Sequence, residues 1–243
     1  MKQRIHRLLD MIPDNGFLIV ASVLEEYVRS ASFCAGTIKD NYPEAHITLV
    51  VPPKLRHFAD TTCFDLIISD EDVPNDARTK LYGLSRTPYK NLTAYVDADM
   101  ECWHSDVATI WDQMPEDADM LITRIRPYNG KIHKWPTGEM LYHGGFFIYR
   151  NTPFMMDFMK QWYTDYRKQK DEPWPYPEHE IPIDLRPWDQ FTLWKMMNID
   201  KLPINVQVFK DDARWNFVNG YYPTETKNPI IFWHHTIPSR RGM

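Results

Sequence analysis

Glycine is scarce, nine residues in a chain of 243. None forms a GxGxxG after the first apolar run, and GxxxxGK[ST] occurs nowhere, so neither a dinucleotide-type Rossmann loop nor a P-loop is expected. Cysteine is scarcer still. Cys34, Cys63 and Cys102 lack CxxC spacing, which argues against a disulfide framework or a zinc knuckle and for a reducing cytoplasmic setting. Positive charge is not in excess. The net charge of −5 argues against a dedicated polyanion binder but leaves room for a local basic patch. No run reaches the roughly 18–20 apolar residues that cross a bilayer, so no membrane span is expected. The basic, amphipathic start "MKQRIHRLLDMIPDNGF" has no continuous apolar segment and does not read as a signal peptide.

Apolar residues (43%) and aromatics (14%) are plentiful, enough for a sizeable core. Some aromatics lie in the proline-rich "DEPWPYPEH", where burial is harder to arrange, and these are candidates for a sugar or base platform. Over the first hundred residues short apolar runs alternate with helical segments. Strands are expected at 17–22, 46–52, 64–69 and 92–96, with helices at 25–40, up to about 60, and at 76–86. That rhythm predicts βαβ units: an α/β fold with a mainly parallel, Rossmann-like sheet and helices on both faces. Beyond residue 119 the pattern loosens. Strands are expected at 120–125 and 141–150, helices at 153–169 and 188–198, and further strands near 203–209 and 229–235. Long loops between them suggest a half given over to substrate.

Three Asp-x-Asp pairs are present: Asp70 with Asp72, Asp97 with Asp99, and Asp117 with Asp119. Ligands of open α/β sheets bind beyond the carboxyl ends of the strands. Asp97 and Asp99 follow "LTAYV" directly and so emerge on that side. Asp117 and Asp119 precede "MLIT", at the opposite end, and read as a solvated strand entry. Asp70 and Asp72 pass the topological test, but no later feature singles them out.

The segment "TKLYGLSRTPYKNLTAYVDADMEC" resembles glycogenin-like glycosyltransferases of the GT-A fold, which carry a Thr-Lys-Leu helix start and an apolar strand running into Asp-x-Asp. Three further stretches follow in the family's order. They are "YHGGFFIYR" in place of Asn-Ser-Gly and a strand, "PWDQFTL" for its Asp-Gln helix start, and "IIFWHHTIPSR" for its strand ending in His-x-x-Gly-x-x-Lys. The resemblance runs over about 17–240 and implies one GT-A domain across 1–243. Residues to about 100 would form the nucleotide-binding half and the rest the sugar and acceptor half. It implies transfer of a sugar from a nucleotide-diphosphate sugar, a UDP-sugar, to a hydroxyl acceptor, with retention of configuration. A divalent ion would offset the charge of the leaving diphosphate.

By that resemblance Asp97 serves ribose and metal, Asp99 the metal, and a histidine of the last strand completes the set. Carboxylates plus imidazole suit Mn²⁺ better than Mg²⁺. His234 and His235 both compete for this place, on opposite faces of a strand; the spacing to Arg240, the expected phosphate clamp, favours His234. Ile237 stands where the family has glycine. Lys80 matches the lysine that reaches the donor, or is a solvated helix lysine. Asp189 and Gln190 match the sugar-contacting pair, although Asp189 also suits a helix N-terminus after Pro187. Gly144 and Gly145 either let backbone approach the sugar or mark a β-bulge, and His143 replaces the family's asparagine. Ala21, Ser22 and Tyr27 match the base pocket, with Tyr27 equally suited to core packing. Were the reaction inverting, Glu139 is the candidate general base.

The loop at 124–139, with Arg124, Arg126, Lys131, His133 and Lys134 beside Tyr128 and Trp135, reads as a solvated face or as a site for a phosphorylated acceptor. The acceptor expected first is a glycan or small molecule, and next a hydroxyl-bearing modified nucleic-acid base. Two other classes compete. A nucleotidyltransferase would show a Gly-rich loop after the first strand, where "ASVLEEY" has no glycine. A non-catalytic carbohydrate-binding protein would explain the aromatic loops but not the ordered Asp-x-Asp, Asp-Gln and His series. The sequence carries no signal for oligomeric state.

Overall fold

The computed structural model describes residues 12–124, 142–177, 179–181, 183–218 and 226–235. Four strands, β1 (Asn15–Val20), β2 (Ile47–Val50), β3 (Leu66–Ile68) and β4 (Leu92–Asp97), pair in parallel. Next to β4 lies β7 (Tyr142–Arg150), antiparallel to it, then β6 (Met120–Arg124) and the edge strand β8 (Val206–Val208). The order β3-β2-β1-β4-β7-β6-β8 makes a seven-stranded sheet among the described residues, with β7 alone reversed.

Alternation along the strands builds two cores, one on each face. Phe17 and Ile19 of β1, Ala94 and Val96 of β4, and Phe146 and Ile148 of β7 face α1 (Glu25–Asn41). Leu18, Val20, Tyr95, Phe147 and Tyr149 face the other way, toward α2 (Thr79–Leu84) and α3 (Pro153–Asp171). Both faces being covered, the strands read as unbroken apolar runs. Helix α1 buries Val28, Ala31, Cys34, Ala35 and Ile38, an i, i+3, i+4, i+7 stripe, with Glu25 and Glu26 in its first turn and Lys39 in its last, matching the helix dipole. The short helical stretch expected up to about residue 60 is a 3-10 helix, Pro53–Phe58, opened by two consecutive prolines.

A second sheet has no counterpart in the sequence rhythm. It has three strands among the described residues, β5 (Met100–Cys102), β10 (Phe232–His234) and β9 (Phe217–Val218), in the order β5-β10-β9. A one-turn helix, α5 (Asp212–Trp215), leads into β9.

Two expectations are corrected. Trp174 and Tyr176 of the proline-rich loop are no open platform, because they pack against Phe191 and join Ile181, Leu185 and Trp194 in a satellite core under α4 (Asp189–Asn198). Asp117 and Asp119 do not merely solvate a strand entry. Asp119 accepts from the Asn205 backbone N–H at 2.9 Å and Asp117 from the Gln207 side chain at 3.1 Å, fastening β8 to the sheet.

Candidate functional site

Asp97 ends β4 at the carboxyl edge of the sheet, and Asp99 lies two residues on, just before β5. The antiparallel pairing of β5 with β10 sets His234 opposite Met100, and the His235 N–H donates to the Asp99 carbonyl at 2.8 Å. The imidazole of His234 therefore reaches the aspartates. Its Nε2 is 3.1 Å from Asp99 Oδ1 and 3.9 Å from Asp97 Oδ2. One ligand atom from each of the three residues can be chosen so that all lie within 4.8 Å of one another, a set no other group matches among the described residues. Two carboxylates and an imidazole in a pocket where Asp99 is 8% exposed form a donor set for a divalent cation. His235 projects to the other face, 2.9 Å from Glu101, and stays out of this group. Asp70 and Asp72 are exposed and outside it as well.

Lys80, in the first turn of α2, joins this cluster to α4. Its Nζ lies 3.1 Å from Asp189 Oδ2 and 3.5 Å from Asp97 Oδ1, and donates to the Gly144 carbonyl at 2.6 Å. Burial works against its charge, but Asp189 and then Asp97 outweigh burial, so the Lys80 pKa is raised. At Asp97 burial is again the largest influence and raises the carboxyl, with Asp99 adding to the rise while Lys80 and His234 restrain it. The Tyr95 hydroxyl donates to Asp97 Oδ1 at 2.5 Å. His234 is held above the ordinary histidine value because Asp99 and Asp97 overcome the opposing effect of burial. Asp189 also opens α4, accepting from the Gln190 N–H at 2.9 Å.

Of the two readings of the glycine pair, the bulge is observed. The register of β7 against β6 jumps between Ile122 and Thr123, so the pair sits in a bulge. A β carbon on Gly145 would stand 2.7 Å from the His234 ring and 2.9 Å from the His143 ring. On Gly144 it would stand 3.1 Å from Lys80 Nζ and 3.7 Å from Asp189. Absent side chains thus let the two halves of the site meet.

At the other end, Ala21 is buried and Ser22 donates to the Asp76 carbonyl at 2.9 Å. Val23 takes the rare φ of 74° with its N–H on Asn75 Oδ1 at 2.9 Å. The loop after β1 is so tied to the loop before α2. Tyr27 packs, half-buried, on the α1-side core. Glu139, Arg240, Ile237 and the loop residues 126–139 lie outside the described residues. Arg124 is described, and it pairs with Asp212 at 3.1–3.2 Å through both Nε and Nη2. Tyr95 and Asn216 belong to the site and were missed. Tyr95 could have been found, since residues two apart on a strand share a face; nothing in the sequence marks Asn216.

No protein-family model and no curated protein sequence matches the chain. Solved structures do match. A galactosyltransferase, LgtC, solved with donor and acceptor sugar analogues, superimposes with a TM-score of 0.57 at 16% identity, over 92% of this chain and 87% of that one. A glycosyltransferase involved in glycosylation of the major capsid of PBCV-1 gives 0.53 at 12%, over 93% and 96%. GlyE of Streptococcus pneumoniae TIGR4 gives 0.60 at 11%, over 92% of this chain but 55% of GlyE. The likeness is one of fold, and that fold is the GT-A fold of glycosyltransferases.

Proposed function

We propose that this chain is a metal-dependent, glycogenin-like glycosyltransferase that moves a hexose from a UDP-sugar to a hydroxyl acceptor with retention. The observation that carries the reading is the meeting of Asp97, Asp99 and His234 at the carboxyl edge of the sheet, within reach of the Lys80–Asp189 pair. The residues fit a divalent ion, Mn²⁺ ahead of Mg²⁺. Asp97, Asp99 and His234 would hold it, and it would neutralise charge on the leaving diphosphate. The half up to about residue 100 would seat the nucleotide, with Ala21, Ser22 and Tyr27 around the base and Arg240 on the phosphates. Lys80 carries a fixed positive charge between Asp97 and Asp189, suited to a donor phosphate or hydroxyl. Asp189 and Gln190, preorganised at the start of α4, would orient the sugar, and Gly144 and Gly145 leave it room. The acceptor proposed is a glycan or small molecule, with a hydroxyl-bearing modified base as the other choice.

A screen of nucleotide sugars for hydrolysis tests this reading. One donor should be cleaved with added Mn²⁺, chelation should stop the reaction, and Asp99→Ala should lower the rate by at least about 100-fold. Cleavage indifferent to chelator and to Asp99→Ala would sink it. Nucleoside triphosphate condensed onto a sugar phosphate would instead identify a nucleotidyltransferase.

A further inference from the structure

A chain of hydrogen bonds behind His234 begins at a donor whose identity is fixed. The backbone N–H of Gly145 points at His143 Nδ1, 3.1 Å away. An N–H can only donate, so His143 Nδ1 accepts and carries no proton. Asn216 approaches that same nitrogen at 2.8 Å. Two acceptors do not face each other at that distance, so the Asn216 group there is its NH₂. The same NH₂ donates to Thr123 Oγ1 at 3.0 Å. The Asn216 amide can therefore take one orientation only, with Oδ1 turned to His234 Nδ1 at 2.9 Å. That oxygen is an acceptor, and the ring nitrogen facing it must bear the proton.

We propose that Asn216 is a positioning residue: its side-chain oxygen keeps a proton on His234 Nδ1 and so presents Nε2 to Asp97 and Asp99. The proposal rests on the reading of those three residues as cation ligands. A ligating histidine needs its other ring nitrogen committed to a partner, which fixes both tautomer and ring plane. Asn216 is 3% exposed, and the Arg124–Asp212 pair anchors α5 just ahead of it. Gly145 contributes twice, supplying the N–H that settles the sequence of bonds and leaving out the β carbon that would press on both imidazoles.

The test uses the full chain labelled with ¹⁵N-histidine. Two-bond ¹H–¹⁵N spectra of metal-free and Zn²⁺-loaded protein should show a bare Nδ1 on His143 and a protonated, hydrogen-bonded Nδ1 on His234. A proton on His143 Nδ1, or a bare Nδ1 on His234, overturns the proposal. Mn²⁺ titration followed by electron paramagnetic resonance gives the second readout. Asn216→Ala should weaken binding about 10–100-fold. Asn216→Asp keeps an acceptor for His234 but turns its second oxygen on the bare His143 Nδ1, so it should recover only part of that loss. Equal affinity in wild type and Asn216→Ala would also overturn it. Were the wild type to take up no Mn²⁺, the cation reading would fail by itself, while the two tautomers in the metal-free protein would still decide the role of Asn216.

Discussion

Lys80 has more anionic company than an exposed lysine would. With Asp97 and Asp189 on either side, its charge stabilises two carboxylates of a crowded pocket. Lys80→Met leaves them facing each other without a cation. Breaking a buried pair this way costs up to about 3–5 kcal/mol, so the variant should melt well below wild type and lose nucleotide-sugar affinity. Differential scanning calorimetry and donor titration check both. At Gly145 the expected failure is steric. The added methyl of Gly145→Ala would sit 2.7 Å from the His234 ring, and overpacking of this kind costs about 1–3 kcal/mol. Mn²⁺ affinity should fall along with the melting temperature, whereas Gly36→Ala, whose β carbon would meet its nearest neighbour at 3.8 Å, should leave Mn²⁺ affinity unchanged. Asp97, Asp99 and the glycine pair were legible in the sequence because each obeys a local rule of strand end or backbone approach. Asn216 was not, since its partners His143, Thr123 and His234 come from three separate strands.

Among elements, what could be read tracked the range of the interactions that form them. Helix α1 and strands β1, β2 and β4 carry their periodicity within a few residues, and the expected boundaries hold to within about two residues. Strand β10 lies inside the run expected near 229–235, but the small sheet β5-β10-β9 that it joins could not be found that way. Its strands hold two or three residues each, and their register comes from pairing between distant parts of the chain. Yet that sheet delivers His234. One junction of elements makes a pH prediction. Asp65 Oδ2 accepts from Lys39 Nζ of α1 and from the Ile47 N–H of β2, each at 2.8 Å. Burial alone would raise its pKa, but those bonds outweigh burial and the carboxyl is lowered. A carboxyl depressed in the folded state adds stability above its unfolded pKa of about 3.9, lost as pH falls through the folded value. Asp65→Asn should therefore cost about 1 kcal/mol at neutral pH, discounted for partial exposure, and the gap to wild type should close below about pH 4. Urea unfolding across that range measures it. Equal losses at pH 3 and pH 7 would refute this account of Asp65.

For the whole molecule, the two-sided core explains both the apolar strands and the placement of the site. Helices cover each face, so the carboxyl edge is left for chemistry, and the reversed β7 brings its glycine pair beside Asp97. The sequence rhythm carried the parallel half of the sheet. It could not carry the insertion of β7 between β4 and β6, because strand order depends on which edges are open once the first four strands have paired. In the proposed function the nucleotide donor binds through a cation held by Asp97, Asp99 and His234. Calorimetric titration of UDP into the protein, with and without Mn²⁺, tests it most directly. Tight binding should require the ion, bind one UDP per chain, and disappear in Asp99→Ala while the fold is kept. UDP bound equally well in excess chelator, or by Asp99→Ala as by wild type, would contradict it.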